Sequence, residues 1–170
     1  NTKLLTSCSN RFRDKSTSAH TITPVSTPKI QPFSPFAPSS SYSAATKGGS
    51  GFFDGSGDYL TVPTSDDFAF GTGDYTIEAW VYKTTTGQEH IYEGRDGGNT
   101  NRILFYVNSA NKLANYINAS VKGAATSDFP LNSWVHVALV RSGTTGYMFQ
   151  NGTQVATWTG DSTDIAKPNA

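Results

Sequence analysis

The stretch WVHVALVRSGTTGYMFQNGTQVAT, residues 134–157, decides the fold of this chain. Apolar and polar residues alternate along it, which is the period of a strand with two different faces. Asn151-Gly152 separates residues 146–150 from residues 153–159, and both residue types tolerate the positive φ of a type I′ turn. The stretch therefore predicts a long strand followed by a tight antiparallel hairpin.

The same alternation recurs along the chain from residue 50 onward. Runs rich in Gly, Asn, Asp and Thr separate the alternating segments, and no segment keeps a helical period over about ten residues. The further predicted strands cover residues 58–62, 74–83, 90–94, 102–108 and 112–118. Many short strands without helices predict an all-β fold, an antiparallel β-sandwich of jelly-roll type.

The two longest predicted strands, YTIEAWVY (75–82) and WVHVALVR (134–141), are substantially apolar or aromatic on both faces. A strand of this kind belongs in the middle of a sheet that is covered on both sides. We expect one face of each to lie in the core between the sheets and the other to lie under a loop or a partner.

The composition argues against several classes of binding partner. Its 170 residues suit one sizeable core, and the formal net charge of zero with a pI near 7 offers no attraction for nucleic acid or an anionic membrane surface. No run approaches the roughly 18 apolar residues of a membrane span, so no membrane insertion is expected. Cys8 stands alone, so no internal disulfide holds the fold.

The segment GFFDGSGDYLTVP, residues 51–63, suggests a phosphate loop, a calcium loop or a turn between strands. No helix follows it, which removes the context that a phosphate loop requires. A tight connection between strands remains, with Phe53 and Leu60 expected to point into the core. Asp54 and Asp58 are candidate calcium ligands, and the alternative is that each caps a turn.

Three segments resemble the laminin-G-like (concanavalin A-like) jelly-roll domains: FDGSGDYLTVP (53–63), DYTIEAWVY (74–82) and the stretch 134–157. The front end, NTKLLTSCSNRFRDKSTSAHTIT followed by FSPF, is similar to the first strands of such domains in structural proteins of tailed phages, notably phages of marine bacteria and cyanobacteria. The resemblance implies a β-sandwich and a surface or structural role.

The resemblance also implies a domain organisation. Residues 1–49 are expected to supply the first strands and an ordered Pro/Ser/aromatic-rich loop, and residues 50–170 the main body of the same domain. Domains of this family continue past the hairpin with a glycine-bearing strand and a final strand, whereas this sequence ends at DIAKPNA. We therefore expect the sandwich to lack its final strands here and the chain to belong to a longer, tandem-domain protein.

Catalytic chemistry is not expected from this sequence. Glycosidases with this general fold carry paired carboxylates on one strand, and no such run occurs here. Glu78 is the only acid inside a well-patterned strand, and we expect it to form a buried hydrogen-bonded pair with His136. Exposed aromatics and polar side chains near loops are the usual ligand contacts of such folds. The candidate ligand-binding residues are Tyr92, Arg95, Asn99 and Asn101.

Two functions from different classes remain open. The first is a non-enzymatic structural or adhesion module on the virion of a tailed phage, as a tail fibre, appendage or capsid decoration, with other virion proteins, neighbouring copies and a host-surface glycan as partners. The second is a carbohydrate-binding or adhesive domain of a secreted bacterial surface protein. The fold supports the second by analogy alone. Calcium is the only cofactor expected under either hypothesis.

Overall fold

The computed structural model describes residues 2–6, 11–36, 49–95 and 102–168. The chain divides into two compact units, Asn1–Thr64 and Ser65–Ala170. The predicted division of one domain into residues 1–49 and 50–170 stays a prediction.

The first unit contains two short antiparallel strand pairs. Strand β1 (Thr23–Val25) pairs with β4 (Tyr59–Thr61), and β2 (Lys29–Gln31) pairs with β3 (Ser50–Phe52). The connection between β3 and β4 is the Gly/Asp-rich segment, so its prediction as a link between two strands is confirmed. The expected inward position of Phe53 is wrong, because this ring is 43 % exposed and lies 6.2 Å from the ring of Phe12.

Asp14 organises the loop that opens the first unit. Its carboxylate is buried and accepts backbone N–H bonds from Leu5, Ser16 and His20 at 2.8–2.9 Å, as well as one from the Ser16 hydroxyl. Burial acts to raise the pKa of Asp14, but these hydrogen bonds outweigh it and lower the pKa to about 2. The ionised form of this side chain therefore holds three separate backbone positions together.

Acid is expected to weaken the first unit through Asp14. Because the folded pKa lies below the unfolded value, the stabilisation is complete above about pH 4 and is lost as the pH falls towards 2. The urea midpoint of the wild type should fall more steeply across this window than that of Asp14→Asn, which we expect to be about 2 kcal/mol less stable at neutral pH. Parallel slopes for the two proteins would contradict this role.

The second unit is a β-sandwich of two four-stranded antiparallel sheets, and the predicted all-β class is confirmed. One sheet, here the β10 sheet, has the strand order β12-β11-β10-β5, and the other, the β7 sheet, has the order β6-β7-β8-β9. A single 3₁₀ turn at Asp66–Phe68 precedes them. The strands are β5 (Tyr75–Tyr82), β6 (Glu89–Glu93), β7 (Ile103–Val107), β8 (Leu113–Ile117), β9 (Ser120–Ala124), β10 (Trp134–Ser142), β11 (Thr145–Gln150) and β12 (Thr153–Trp158).

The core of the second unit lies between its two sheets. Alternate residues of β7 and β10 point into it, as the two-residue period of a strand requires, and they are fully buried. The prediction that one face of β5 lies in the core is confirmed, and it is the face that carries Tyr75, Ile77, Ala79 and Val81. The buried members are Tyr75, Ile103, Phe105, Val107, Leu113, Ile117, Ala125, Phe129, Val135, Val137, Leu139, Met148 and Ile165.

The predicted hairpin joins β11 to β12. Asn151 and Gly152 have φ values of 48° and 77°, the pair of positive angles that a type I′ turn needs. The Asn151 side chain also contacts the neighbouring strand, where its Oδ1 accepts a hydrogen bond of 2.9 Å from the backbone N–H of His136. The turn is thereby anchored to β10.

A buried arginine, Arg141, and a partly buried tryptophan, Trp158, which donates from Nε1 to Asp161, fasten the segment that follows β12. Arg141, 1 % exposed, donates to the carbonyls of Gly71, Gly73 and Thr163, and Gly71 and Ile165 exchange two backbone hydrogen bonds of 2.9 Å. The indole of Trp158 lies against two glycines that leave room for it, Gly146 on β11 and Gly123 on β9.

Candidate functional site

The outer face of the β7 sheet, which points away from the core between the sheets, carries a second apolar cluster. Leu104, Tyr106 and Ala114 are buried there, and Tyr116 packs against them while remaining partly exposed. These residues alternate along β7 and β8 with the core residues, so the sheet is apolar on both sides. The outer cluster forms a floor with two tyrosine rings.

Four polar side chains at the β6 edge of this floor form a connected group, which we call the Glu93 cluster: Gln88, His90, Glu93 and Arg95. Glu93 is at its centre. Its Oε1 accepts a hydrogen bond from Nε of Arg95 at 2.7 Å and lies 2.6 Å from Nη2 of the same arginine. Its other carboxylate oxygen, Oε2, lies 2.7 Å from Nδ1 of His90. Nε2 of His90 lies 2.9 Å from the side-chain nitrogen of Gln88.

A β-bulge brings His90 and Glu93 together. In a regular strand, residues three apart point to opposite faces. The register of β6 against β7 shifts between His90 and Tyr92, so that His90 pairs with Tyr106 while Glu93 pairs with Leu104. Both partners belong to the outer floor, and both β6 side chains therefore lie on the same face. Bulges commonly re-aim a side chain in this way.

The Glu93 cluster lies directly on the tyrosine floor. The His90 ring meets the ring of Tyr106 edge-on, with centroids 6.1 Å apart, and the Arg95 guanidinium lies 5.9 Å from the centroid of Tyr116. Burial raises the pKa of Tyr106, and the nearby Arg95 charge opposes that rise without cancelling it. His90, Glu93 and Arg95 each keep roughly a third of their side-chain surface exposed. The side chains of the site are thus linked to one another and partly exposed to solvent.

The sequence-predicted ligand residues have different positions. Arg95 belongs to the Glu93 cluster. Tyr92 points to the core side of the same strand, 6.2 Å from the Phe70 ring, and burial raises its pKa to about 12. Asn99 and Asn101 lie outside the described residues. The sequence signal for His90 and Glu93 was hidden, because without the bulge their spacing places them on opposite faces.

The predicted calcium ligands, Asp54 and Asp58, lie in the first unit, where their side chains accept hydrogen bonds from backbone N–H groups of a turn. Oδ1 of Asp58 accepts the backbone N–H of Thr27 at 2.8 Å, and its Oδ2 accepts that of Asp54 at 3.1 Å. Oδ1 of Asp54 accepts the backbone N–H of Ser56 at 2.8 Å. Desolvation acts to raise the pKa of Asp58, but its hydrogen bonds outweigh it and lower that pKa. This is the geometry of an Asx turn, and calcium here stays a prediction.

The expected Glu78–His136 pair forms on the outer face of the β10 sheet. Oε2 of Glu78 lies 3.4 Å from Nε2 of His136, and the His136 ring lies 5.2 Å from that of Trp80. The expectation that the pair is buried is wrong, since the Glu78 side chain is 64 % exposed. An exposed pair at this distance is weak and screened by solvent.

The described part of the chain was also compared with the requirements of a metal site and of a membrane-spanning helix, and it meets neither. Across the ranges that the structure describes, no group of three or more His, Cys, Asp or Glu side chains is arranged to hold a metal ion. Within those same ranges, no helix has the length and apolar character needed to cross a membrane.

Comparison with known proteins identifies the family. The laminin G-type family model of the concanavalin A-like lectin/glucanases superfamily matches residues 54–170. The chain therefore belongs to this superfamily, and the resemblance of its three sequence segments is confirmed. A search of curated proteins found no match.

One solved structure matches part of this chain. It is the crystal structure of an S-layer domain-containing protein from Clostridium thermocellum, with 24 % sequence identity and a TM-score of 0.40. The alignment covers 81 % of this chain and 62 % of that one. This chain thus matches less than two thirds of that structure.

Proposed function

We propose that this chain is a non-catalytic surface module that contacts a glycan through the Glu93 cluster and the exposed part of Tyr116. The observation that carries the proposal is the connected arrangement of Arg95, Glu93 and His90 on a tyrosine floor. Each polar group is held by a neighbour, so little side-chain order has to be gained when a ligand binds.

The chemistry of the cluster suits a sugar. A pyranose ring presents hydroxyls around its edge and C–H groups on its faces. Arg95 supplies N–H donors, Glu93 supplies acceptor oxygens, and the amide of Gln88 supplies both. Tyr116 adds a partly exposed aromatic surface beside them. Ligand sites typically combine an apolar wall with a few fixed polar groups of this kind.

The number of carboxyl groups in the cluster supports a non-catalytic role. Hydrolysis of a glycosidic bond needs two carboxyl groups, at opposite sides of the bond. Glu93 is the single carboxyl group among the four members of the cluster, and its oxygens already contact Arg95 and His90. A carboxyl group held in this way is suited to accept hydrogen bonds.

We further propose that the module is carried on the virion of a tailed phage, as part of a tail fibre, an appendage or the capsid surface. The support is the similarity of its front end, NTKLLTSCSNRFRDKSTSAHTIT followed by FSPF, to phage structural proteins. Mass spectrometry of purified particles tests this, and peptides of the chain should be found in them. Their absence from particles, with presence in a bacterial surface fraction, would point to a secreted adhesive domain instead.

Arg95→Ala is expected to abolish glycan binding. The change removes the guanidinium donors from the cluster and leaves Glu93 without its cationic partner, so at least about a tenfold loss of affinity should follow. Binding of the purified chain to a glycan array and to host lipopolysaccharide measures it. The matched control is Lys167→Ala, which removes one positive charge from an exposed ion pair with Asp66 in the same unit. Equal binding by the wild type and both variants would refute the assignment.

Calcium at Asp54 and Asp58 is tested separately. If the ion binds there, adding calcium should raise the melting temperature, and Asp54→Ala should remove that rise. Asp74→Ala is the control, because that carboxylate caps Gly143 in the second unit. An unchanged melting temperature with calcium and with EDTA would show that both aspartates only cap the turn.

A further inference from the structure

We infer that the Glu93 cluster selects uncharged sugar residues and rejects those that carry a carboxylate, such as uronic acids. This inference rests on the proposed function and specifies its ligand class. It depends on how Arg95 is already engaged.

Arg95 presents its Nε and Nη2 donors to a single oxygen of Glu93, at 2.7 and 2.6 Å. This edge of the guanidinium is the one that a carboxylate ligand commonly grips with two parallel hydrogen bonds. Glu93 therefore occupies this edge, and an acidic sugar is left with the end of the guanidinium formed by Nη1 and Nη2, where it shares Nη2 with Glu93.

The charges of the cluster point the same way. Arg95 and Glu93 contribute opposite formal charges, which leaves no excess positive charge to attract an anion. A uronate held by Arg95 would have its own carboxylate close to that of Glu93, and like charges at short range repel each other. The chain as a whole has zero formal net charge, so long-range attraction of anions is absent as well.

A neutral hydroxyl meets no such conflict. Within the cluster, the hydrogen-bond partner of Glu93 Oε2 is Nδ1 of His90. A carboxylate oxygen can accept a second hydrogen bond. The Nη1 group of Arg95 and the amide oxygen of Gln88 offer a donor and an acceptor beside it. A hydroxyl that both donates and accepts can use these groups while the Arg95–Glu93 pair stays intact.

The test uses matched sugars that differ only at C6. Methyl β-glucoside is compared with methyl β-glucuronide, and the galacto and manno pairs are treated alike. Binding is followed by NMR at the Arg95 Nε–H and the Gln88 side-chain amide. At least one neutral member should shift both signals and bind about tenfold or more tightly than its uronide. A uronide that binds as well as its neutral partner would overturn the inference and leave the proposed function standing. No shift with any sugar would overturn both.

Glu93→Gln provides the second arm. Glutamine keeps an acceptor oxygen but removes the negative charge, so the hold on the Arg95 edge weakens and the repulsion of a second carboxylate is lost. The affinity for the uronides should therefore rise by about tenfold or more relative to the wild type. Glu89→Gln is the matched control. It lies on the same strand, pairs with Lys83 at 3.6 Å, and stands opposite Val107 of the core face. Unchanged amide spectra outside the site establish that both variants fold. No gain for the uronides in Glu93→Gln would also overturn the inference.

Discussion

Arg141→Met is expected to destabilise the second unit by about 4 kcal/mol, because three backbone carbonyls lose a buried donor at once. The wild-type guanidinium donates to Gly73 through Nε and Nη2, to Gly71 through Nη2 and to Thr163 through Nη1, at 2.5–2.9 Å. It also lies 4.9 Å from the centroid of the Tyr75 ring. Methionine keeps most of the apolar stem and none of the donors.

The loss should show both globally and locally. The urea midpoint measures the stability, and amide exchange at Gly71 and Ile165 reports whether the chain after β12 detaches, since these residues share the only strand bridge of that segment among the described residues. Arg95→Met is the control, because that arginine is on the surface and its exposed ion pair should cost less than about 1 kcal/mol. Unchanged protection at Gly71 and Ile165 would show that Arg141 does not hold this segment.

Gly146→Ala is expected to cost about 3 kcal/mol or more, since a Cβ at this position would overlap Cε2 and Cζ2 of the Trp158 indole. Gly146 and Trp158 are direct cross-strand partners, so the indole ring cannot move sideways to make room for a methyl group. On its other side the ring lies against Gly123, where an added Cβ would come within 2.8 Å of Cε3. The melting temperature should fall by about 10 °C.

Two further variants make the Gly146 result interpretable. Gly73→Ala adds a methyl group whose nearest neighbour is the Phe70 carbonyl at 3.5 Å, so it should change stability by less than about 0.5 kcal/mol. In a Trp158→Leu background the cost of Gly146→Ala should shrink, because the clashing ring is gone. An equal cost in both backgrounds would mean that the indole is not the cause.

Much of the fold could be predicted from the sequence. The type I′ turn at Asn151-Gly152 is specified by two adjacent residues that accept positive φ, and the structure places them as expected. The sequence predicted that one face of β5 and one face of β10 lie in the core, but it did not say which face, because both faces of each strand are apolar or aromatic. Strand β9, in contrast, was not predicted, because its sequence SVKGA holds only one residue of high strand propensity. It forms because β8 pairs with it and because Gly123 leaves space for Trp158.

The candidate site was predictable only in part. Arg95 could be selected as a polar residue near a loop, but its partners could not. Tyr92 was selected as an aromatic residue expected near the ligand, yet its ring packs against the core. The bulge in β6 determines which face of the sheet each residue of this strand lies on.

The sequence by itself determined most of the strands of the second unit, the closing hairpin and the superfamily, because alternation and turn chemistry act between residues that are close in the chain. Only the tertiary structure decided which polar groups meet. The register shift beside Ile91 puts His90 and Glu93 on one face, and the burial of Arg141 joins it to carbonyls about 70 residues away. Both depend on the pairing of distant strands, which no local pattern encodes.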